Sequence, residues 1–257
     1  MKILCIGDIM GSHGRDMVRG YLDDLVYSKG IDLVAANGEN SAHGRGMSAA
    51  VYEELCSLGI DVFTMGNHTW NCRDIIKLLE QESNIARPAN YEGNCPGSGC
   101  VTVKAKNGAL VSFINLLGRT YMDPCASPFE AAKREIDKCC SDIILVDFHA
   151  EATSEKIAMG RYLDGSVSAV YGTHTHVQTA DEVILPRGTG YITDLGMTGS
   201  SNSVLGMDTS AVINRFLNGM PTKYELGAGK NVLCGCIFEI DDKTARTVGI
   251  ERINIKE

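Results

Sequence analysis

Eight acidic, amide and imidazole side chains in this sequence fall into five short groups: Asp8, Glu39 with Asn40, Asn67 with His68, His149, and His174 with His176. Each group stands just past an apolar run: Lys2-Ile3-Leu4-Cys5-Ile6, Asp32-Leu33-Val34-Ala35-Ala36, Asp61-Val62-Phe63-Thr64-Met65, Asp142-Ile143-Ile144-Leu145-Val146 and Ser168-Ala169-Val170-Tyr171. Short apolar runs closed by glycine or polar residues read as buried strands. If those strands lie side by side, the five groups converge on one sheet edge, where open α/β folds place their sites. These ligand types suit two closely spaced divalent metals. Glu39 is the natural bridge, because a carboxylate has enough lone pairs for two cations. Asp8, Asn40 and one histidine could complete one metal, and Asn67, His149 and another histidine the second. His174 and His176 are two apart, so on an extended segment both face the same side and one can serve each metal.

The chemistry follows from charge. Two divalent ions with one Asp and one Glu leave a net of about +2, which attracts a phosphoryl group and acidifies a bridging water. The resulting hydroxide would attack phosphorus in line. His68, beside Asn67, is placed to protonate the leaving oxygen, a role that contributes about 10²–10⁴-fold. Singly, each feature is weak: a buried histidine is more often a satisfied core residue, and Gly-Asp is commonly a strand end and turn. Their recurrence at the same end of five strands argues for metal.

Other polar residues divide less cleanly. His13, His43 and Arg45 lie in Gly11-Ser12-His13-Gly14-Arg15 and Ser41-Ala42-His43-Gly44-Arg45-Gly46. These loops either offer backbone N–H groups or Arg45 to a phosphate or are simply solvated. His43 and Arg45 are the substrate-binding candidates. Asp147 or Glu151 could hold the second ring nitrogen of His149, or be surface carboxylates. Asp181 and Asp194 read as strand ends without chemistry.

The elements that must position these groups alternate at first. Strands are predicted at 2–6, 32–36 and 61–65, and helices at about 14–28, 48–58 and 71–82. Such alternation implies parallel strands with right-handed crossovers. Val101–Val103 and Leu110–Ile114 flank Asn107-Gly108, a hairpin signature. A helix over 128–139, a strand over 142–146, a helix over about 153–163 and a strand over 168–171 follow. A second hairpin joins 182–185 to 190–193, and the tail pairs 232–240 with 246–253. The sum is α/β, with two sheets packed together and helices outside. No repeat, low-complexity segment or linker divides the chain, so residues 1–257 read as a single domain.

Composition limits the alternatives. The 257 residues are 44% hydrophobic and 22% charged, ordinary for a soluble globular protein. The formal net charge of −8 argues against tracking a long nucleic acid, which needs a basic stripe. No segment approaches the roughly 18 to 20 apolar residues that span a bilayer. The start runs directly into a strand and Asp8 rather than a signal peptide, so the expected location is cytoplasmic. The ten cysteines contain no Cys-x-x-Cys pair and read as small buried hydrophobes rather than a disulfide framework or zinc ribbon.

Gly7-Asp8, Gly38-Glu39-Asn40, Gly66-Asn67-His68, His149 and Gly172-Thr173-His174-Thr175-His176 resemble the motif series of the calcineurin-like metallophosphoesterase superfamily. Gly38-Glu39-Asn40-Ser41-Ala42, Asp147-Phe148-His149-Ala150-Glu151 and Thr193-Asp194-Leu195-Gly196-Met197 are similar to its YmdB-like bacterial phosphodiesterase branch, over essentially the whole chain. The resemblance implies a four-layer α/β/β/α sandwich with two mixed β-sheets. It implies a dinuclear centre, commonly iron; the mixed nitrogen and oxygen ligands themselves suit manganese or zinc as well. It also implies hydrolysis of small phosphodiesters, 2′,3′-cyclic nucleotides above all. Carried over, Asp8, Asn40 and His176 serve one metal, Asn67, His149 and His174 the other, Glu39 bridges and His68 donates the proton. Two positions depart from the wider superfamily. Met10 stands where a histidine ligand is usual, so Asn40 replaces it, and Thr69-Trp70 supplies no acidic partner to orient His68.

The expected partner is a small phosphodiester or cyclic nucleotide, with no membrane and no long nucleic acid; a homo-oligomer stays open. A metal-dependent amidohydrolase also uses His-x-His, but there the motif follows the first barrel strand. The competing reading of another class is a regulatory nucleotide- or protein-binding module with slow residual phosphoesterase activity.

Overall fold

The computed structural model describes residues 1–223 and 225–257. Its first half contains β1 (Lys2–Ile6), β2 (Asp8–Ile9), α1 (Gly11–Lys29), β3 (Leu33–Asn37), α2 (Ala49–Ser57), β4 (Val62–Thr64), α3 (Asp74–Gln81), β5 (Ile85–Ala86), β6 (Cys100–Lys104) and β7 (Leu110–Leu117). The rest contains α4 (Pro128–Ile136), β8 (Ile143–His149), α5 (Thr153–Leu163), β9 (Ala169–Thr173), β10 (Val183–Ile184), β11 (Gly190–Ile192), β12 (Met197–Ser200), α6 (Thr209–Asn218), β13 (Asn231–Ile240) and β14 (Thr247–Lys256). One mixed sheet runs β2-β12-β13-β1-β3-β4-β5, with β14 on β13, and the other runs β10-β11-β9-β8-β7-β6.

Side-chain alternation along the strands builds the layers. In β1 and β3, Leu4, Ile6, Val34 and Ala36 face a core shared with α1, α2 and α3, which includes Met17, Leu22, Leu55 and Leu78. The alternate residues Ile3, Cys5, Leu33 and Ala35 face the second sheet, meeting Phe113, Leu145, Ala169 and Tyr171. On the far side of that sheet, Ile144, Val146 and Phe148 pack with Ala131, Ala132, Met159 and Leu163 of α4 and α5. Strands buried on both faces are therefore continuous apolar runs, as expected of parallel strands under helices. Three stacked cores make this the four-layer α/β/β/α sandwich of the calcineurin-like fold.

The same period of two places the polar residues that end these strands. Leu33, Ala35 and Asn37 share a face of β3; Val62 and Thr64 share one of β4; Leu145, Asp147 and His149 share one of β8. β1, β3 and β4 are parallel neighbours, as are β7, β8 and β9. Their carboxyl ends therefore close the inter-sheet core with polar groups.

The structure lengthens some elements and adds others. β8 runs on to His149, so that histidine belongs to the strand rather than to a loop beyond it. α1 begins at Gly11, which puts His13 in its first turn instead of a loop. A single 3₁₀ turn, Thr69–Asn71, replaces the start of the helix expected from 71. The short strands β2, β5 and β12 and helix α6 lie outside the elements the sequence predicts. Among the described residues, no helix is long and apolar enough to cross a membrane.

The cysteines need partial correction. All ten are free thiols; Cys5, Cys125, Cys234 and Cys236 are buried, five are half-buried and Cys140 is exposed. The small-hydrophobe reading therefore fits four. Cys100 and Cys139 lie with their sulfurs 3.4 Å apart across β6 and the end of α4.

Candidate metal centre

Asp8 owes its place to Gly7. A Cβ at position 7 would lie 1.9 Å from the Gly196 carbonyl oxygen, so only glycine lets β1 pass that chain and turn into β2. Asp8 then pairs with Met197 of β12, fully buried. Glu39 and Asn40 follow β3, and Asn67 and His68 follow β4 after Met65-Gly66.

The donor atoms gather in two connected groups. Around His149 Nε2 lie Glu39 Oε1 at 3.0 Å, Asn67 Oδ1 at 2.9 Å and His174 Nδ1 at 3.1 Å. The ligand atoms of Glu39, His149 and His174 all fall within 4.8 Å of one another. Around His176 Nε2 lie Asp8 Oδ1 at 3.6 Å and Asn40 Nδ2 at 3.2 Å. Glu39 joins the groups, since its Oε1 also accepts from Asn40 Nδ2 at 3.3 Å. All seven expected ligands, Asp8, Glu39, Asn40, Asn67, His149, His174 and His176, therefore come together.

Three observations fit this cluster to cations. Asp8 Oδ1 is buried with no hydrogen-bond donor. A buried carboxylate oxygen left unpaired is costly unless positive charge reaches it. The donors are hard oxygens and imidazoles, the set that divalent and trivalent first-row metals accept. The third observation is the space itself. A Cβ on Gly66 would sit 2.4 Å from both Glu39 Oε2 and His149 Nε2, so glycine leaves the ligands room to meet. Gly66→Ala is expected to displace both side chains and cut metal content and activity by about 10²-fold, the scale of damage to ligand positioning. Elemental analysis beside thermal unfolding checks this: a folded protein with full metal and full activity refutes it.

The electrostatics point the same way. Burial works against charge on His149, but the Glu39 carboxylate beside it prevails and the imidazole is pushed up to about 9. Burial, reinforced by His149, pushes His174 down to about 3. Burial opposes the Asp8 carboxylate, yet the His176 imidazole, 3.6 Å away and beyond hydrogen-bond distance, holds it below the usual range. The two carboxylates thus draw positive charge inward, and a bound cation would displace the proton on the His149 Nε2 atom.

A second set of residues holds the candidate ligands. His149 Nδ1 donates to Thr173 Oγ1 at 2.9 Å, and Thr173 in turn donates to Asp147 Oδ1 at 2.7 Å. This relay leaves Nε2 facing the cluster, the orientation a ligand needs. Asp147 also accepts from Thr64 at 2.5 Å and faces Asn37 at 3.5 Å; burial pushes its carboxyl up to about 7. Asp147 therefore acts on His149 through Thr173, not directly. Glu151 does not hold His149: its Oε2 lies 3.1 Å from His174 Nε2.

The His-x-His pair converges by another route than strand alternation. β9 stops at Thr173, and His174 and His176 adopt φ of 94° and 63°, the left-handed region that costs a non-glycine residue energy. Asp194 supports this bend, accepting from Thr175 N at 3.2 Å and Thr175 Oγ1 at 2.7 Å. Its charge is met by Lys156 Nζ at 2.5 Å, and both side chains are 1% exposed. Asp194 is therefore a buried support of the site, not an inert strand end. Asp181 does tie a strand end, accepting from Thr193 N at 3.1 Å. His176 Nδ1 donates to the Leu205 carbonyl at 3.0 Å, fixing Nε2 inward.

His68 stands beside the cluster. Its backbone N–H donates to Glu39 Oε2 at 2.8 Å, and its carbonyl accepts from the Asn71 backbone N–H at 3.1 Å, which keeps the Asn71 side chain beside its imidazole. Asn71 thus gives the ring a polar neighbour where Thr69 and Trp70 supply no acidic one. Burial pushes the His68 pKa down, against the pull of Glu39. His43 and Arg45 are exposed and lie outside the ligand cluster, on a neighbouring cavity with Asn71. Sequence reading missed Asn37, Thr64, Asn71, Lys156 and Thr173. Two of them carried a signal: Asn37 and Thr64 are polar at inward positions of apolar strands.

Residues 4–253 match the family described as YmdB-like protein. The chain is 48% identical over 265 residues to a Bacillus subtilis (strain 168) protein named 2′,3′-cyclic-nucleotide 2′-phosphodiesterase, covering 100% of this chain and 98% of that one. A solved protein of Thermus thermophilus is 40% identical with a TM-score of 0.95 and full coverage of both chains. A structure titled a novel phosphatase, from Mycoplasma pneumoniae, is 35% identical with a TM-score of 0.94, covering 100% of this chain and 93% of that one.

Proposed function

The chain belongs to the YmdB-like family, and from that premise we propose that it is a metal-dependent phosphodiesterase acting on small phosphodiesters, 2′,3′-cyclic nucleotides foremost. The observation that carries the reading is the meeting of Glu39, His149 and His174 donor atoms within 4.8 Å. The Bacillus subtilis relative's name supports the substrate class. Asp8, Asn40 and His176 would hold one metal, Asn67, His149 and His174 the other, with Glu39 shared between them. Iron is the proposed metal, and manganese or zinc suits the same donors.

When bound, the metals would polarise the phosphoryl oxygens and acidify the attacking water. The protein's own part is positioning and proton transfer. Thr173 and Asp147 keep the His149 ring from turning, and Leu205 does the same for His176. The inter-sheet core beneath is closed by Tyr171, Leu145 and Phe113, which keeps bulk water from the buried face of the site. His68, fixed through its backbone by Glu39 and by the turn to Asn71, donates a proton to the leaving oxygen.

The test is metal content of protein purified without added metal, then hydrolysis of cyclic and linear phosphodiesters before and after chelation. Metal-dependent turnover, greatest with 2′,3′-cyclic nucleotides, is expected. Metal-loaded protein that cleaves no phosphodiester, or unchanged turnover after complete metal removal, refutes the reading.

A further inference from the structure

Two adjoining cavities lie beside the turn that runs from His68 to Cys72. The first, about 460 Å³, is lined by Ala42, His43, Arg45, Asn71 and Met207, among others. The second, about 510 Å³, is lined by Arg45, Met207, Arg215, Phe216 and Gly219. Arg45 and Met207 belong to both, so the two form one groove, and each is of a size that takes a small organic ligand.

Segments that contact both ends of the metal cluster also line it. Asn71, on the groove wall, closes the turn that begins at His68, its backbone N–H donating to the His68 carbonyl at 3.1 Å, and Arg45 lines the same cavity. On the other side, Leu205, which holds His176 Nδ1, lies two residues before Met207. Met207 pairs with Val204 and Leu226, and Asp208 then caps α6 by accepting from Ala211 N at 2.8 Å. The loop that fixes a ligand therefore also carries the groove's far wall.

That wall is unusual for a surface helix. Val212 is the buried residue of α6, while Phe216 is 86% and Leu217 78% exposed. A large apolar patch left in water beside a polar site marks a place where something binds. The charge narrows the occupant: the chain carries −8 overall, yet the charged residues lining the second cavity are Arg45 and Arg215. Aromatic surface beside guanidinium groups suits a planar base joined to a phosphate.

We propose that this groove binds the nucleoside half of a cyclic-nucleotide substrate, with Phe216 stacking on the base and Arg45 on the groove floor. This rests on the phosphodiesterase reading. The oxygen protonated by His68 stays with the sugar, so the sugar and base extend past His68 toward Asn71 and Arg45. The assignment makes base selectivity a property of α6 and the Ser41–Gly46 loop, separate from the metal ligands.

The test compares 2′,3′-cyclic AMP with methyl riboside 2′,3′-cyclic phosphate, which has the same phosphodiester and no base, on metal-loaded full-length protein. Wild type is expected to prefer the nucleotide. Phe216→Ala should reduce that preference about 5- to 100-fold, mostly through KM, while Phe216→Trp retains it. Calorimetric binding of 3′-AMP reads the same contact without turnover and should weaken in Phe216→Ala. An unchanged preference with unchanged 3′-AMP affinity overturns the groove assignment alone. Wild-type protein that cleaves neither ester overturns the phosphodiesterase reading; Phe216-dependent binding of 3′-AMP in that protein would still support the groove.

Discussion

Glu39→Ala protein is expected to emerge folded but largely stripped of metal at both positions. Glu39 is fully buried and touches every part of the cluster. Its Oε1 lies 3.0 Å from His149 Nε2 and 3.3 Å from Asn40 Nδ2, and its Oε2 receives the His68 backbone N–H at 2.8 Å. Removing the carboxylate takes away the proposed shared ligand, one of the two negative charges of the proposed ligand set, and the anchor of the proposed proton donor. Losing a supporting residue alone costs roughly 10–100-fold in metal affinity, so loss of the shared ligand should cost at least about 10²-fold. Turnover should drop by about 10³-fold or more, because several kcal/mol of charge stabilisation at the phosphoryl group goes with the metals. Glu39→Gln controls for shape, since it keeps the volume and removes the charge. Elemental analysis decides the matter. Two metals per chain in either variant at wild-type affinity would remove Glu39 from the bridge.

His68→Ala separates proton transfer from metal binding. The His68 ring lies outside the donor cluster, so metal content should match wild type. Turnover of a cyclic nucleotide should fall about 10²–10⁴-fold, the usual contribution of a positioned acid. The loss should depend on the leaving group. A sugar alkoxide needs a proton as it departs, whereas p-nitrophenolate leaves readily without one, so the variant should lose far less activity toward a p-nitrophenyl ester. Equal losses on both substrates would deny His68 the donor role and leave it a structural part of the 66–71 loop.

Much of this centre was legible in the chain because its parts are local. A ligand that ends a buried strand is announced by the apolar run before it, as at Ile6-Gly7-Asp8, Ala36-Asn37-Gly38-Glu39 and Met65-Gly66-Asn67. The alternating βα order of the first half likewise implies parallel strands, and the Asn107-Gly108 turn marks the β6–β7 hairpin. α6 was readable too, with Asp208 as its cap, apolar residues at 212, 213, 216 and 217, and Gly219 beyond its end.

The residues of this sequence, taken alone, determined which side chains could hold cations and that strand ends would carry them. They also determined the layers, since period-two runs that are apolar on both faces must be covered on both. Which ring nitrogen of His149 faces the cluster was decided only in the folded chain, by Thr173 and Asp147 from β9 and β8. The same holds for His174 and His176. Spacing suggested an extended pair, but both sit at positive φ in a bend supported by Asp194 and Lys156, 38 residues apart. The reason is physical. Propensity and periodicity act over a few neighbouring residues, whereas a strained backbone or a fixed tautomer persists only where groups distant in sequence are packed and hydrogen-bonded around it.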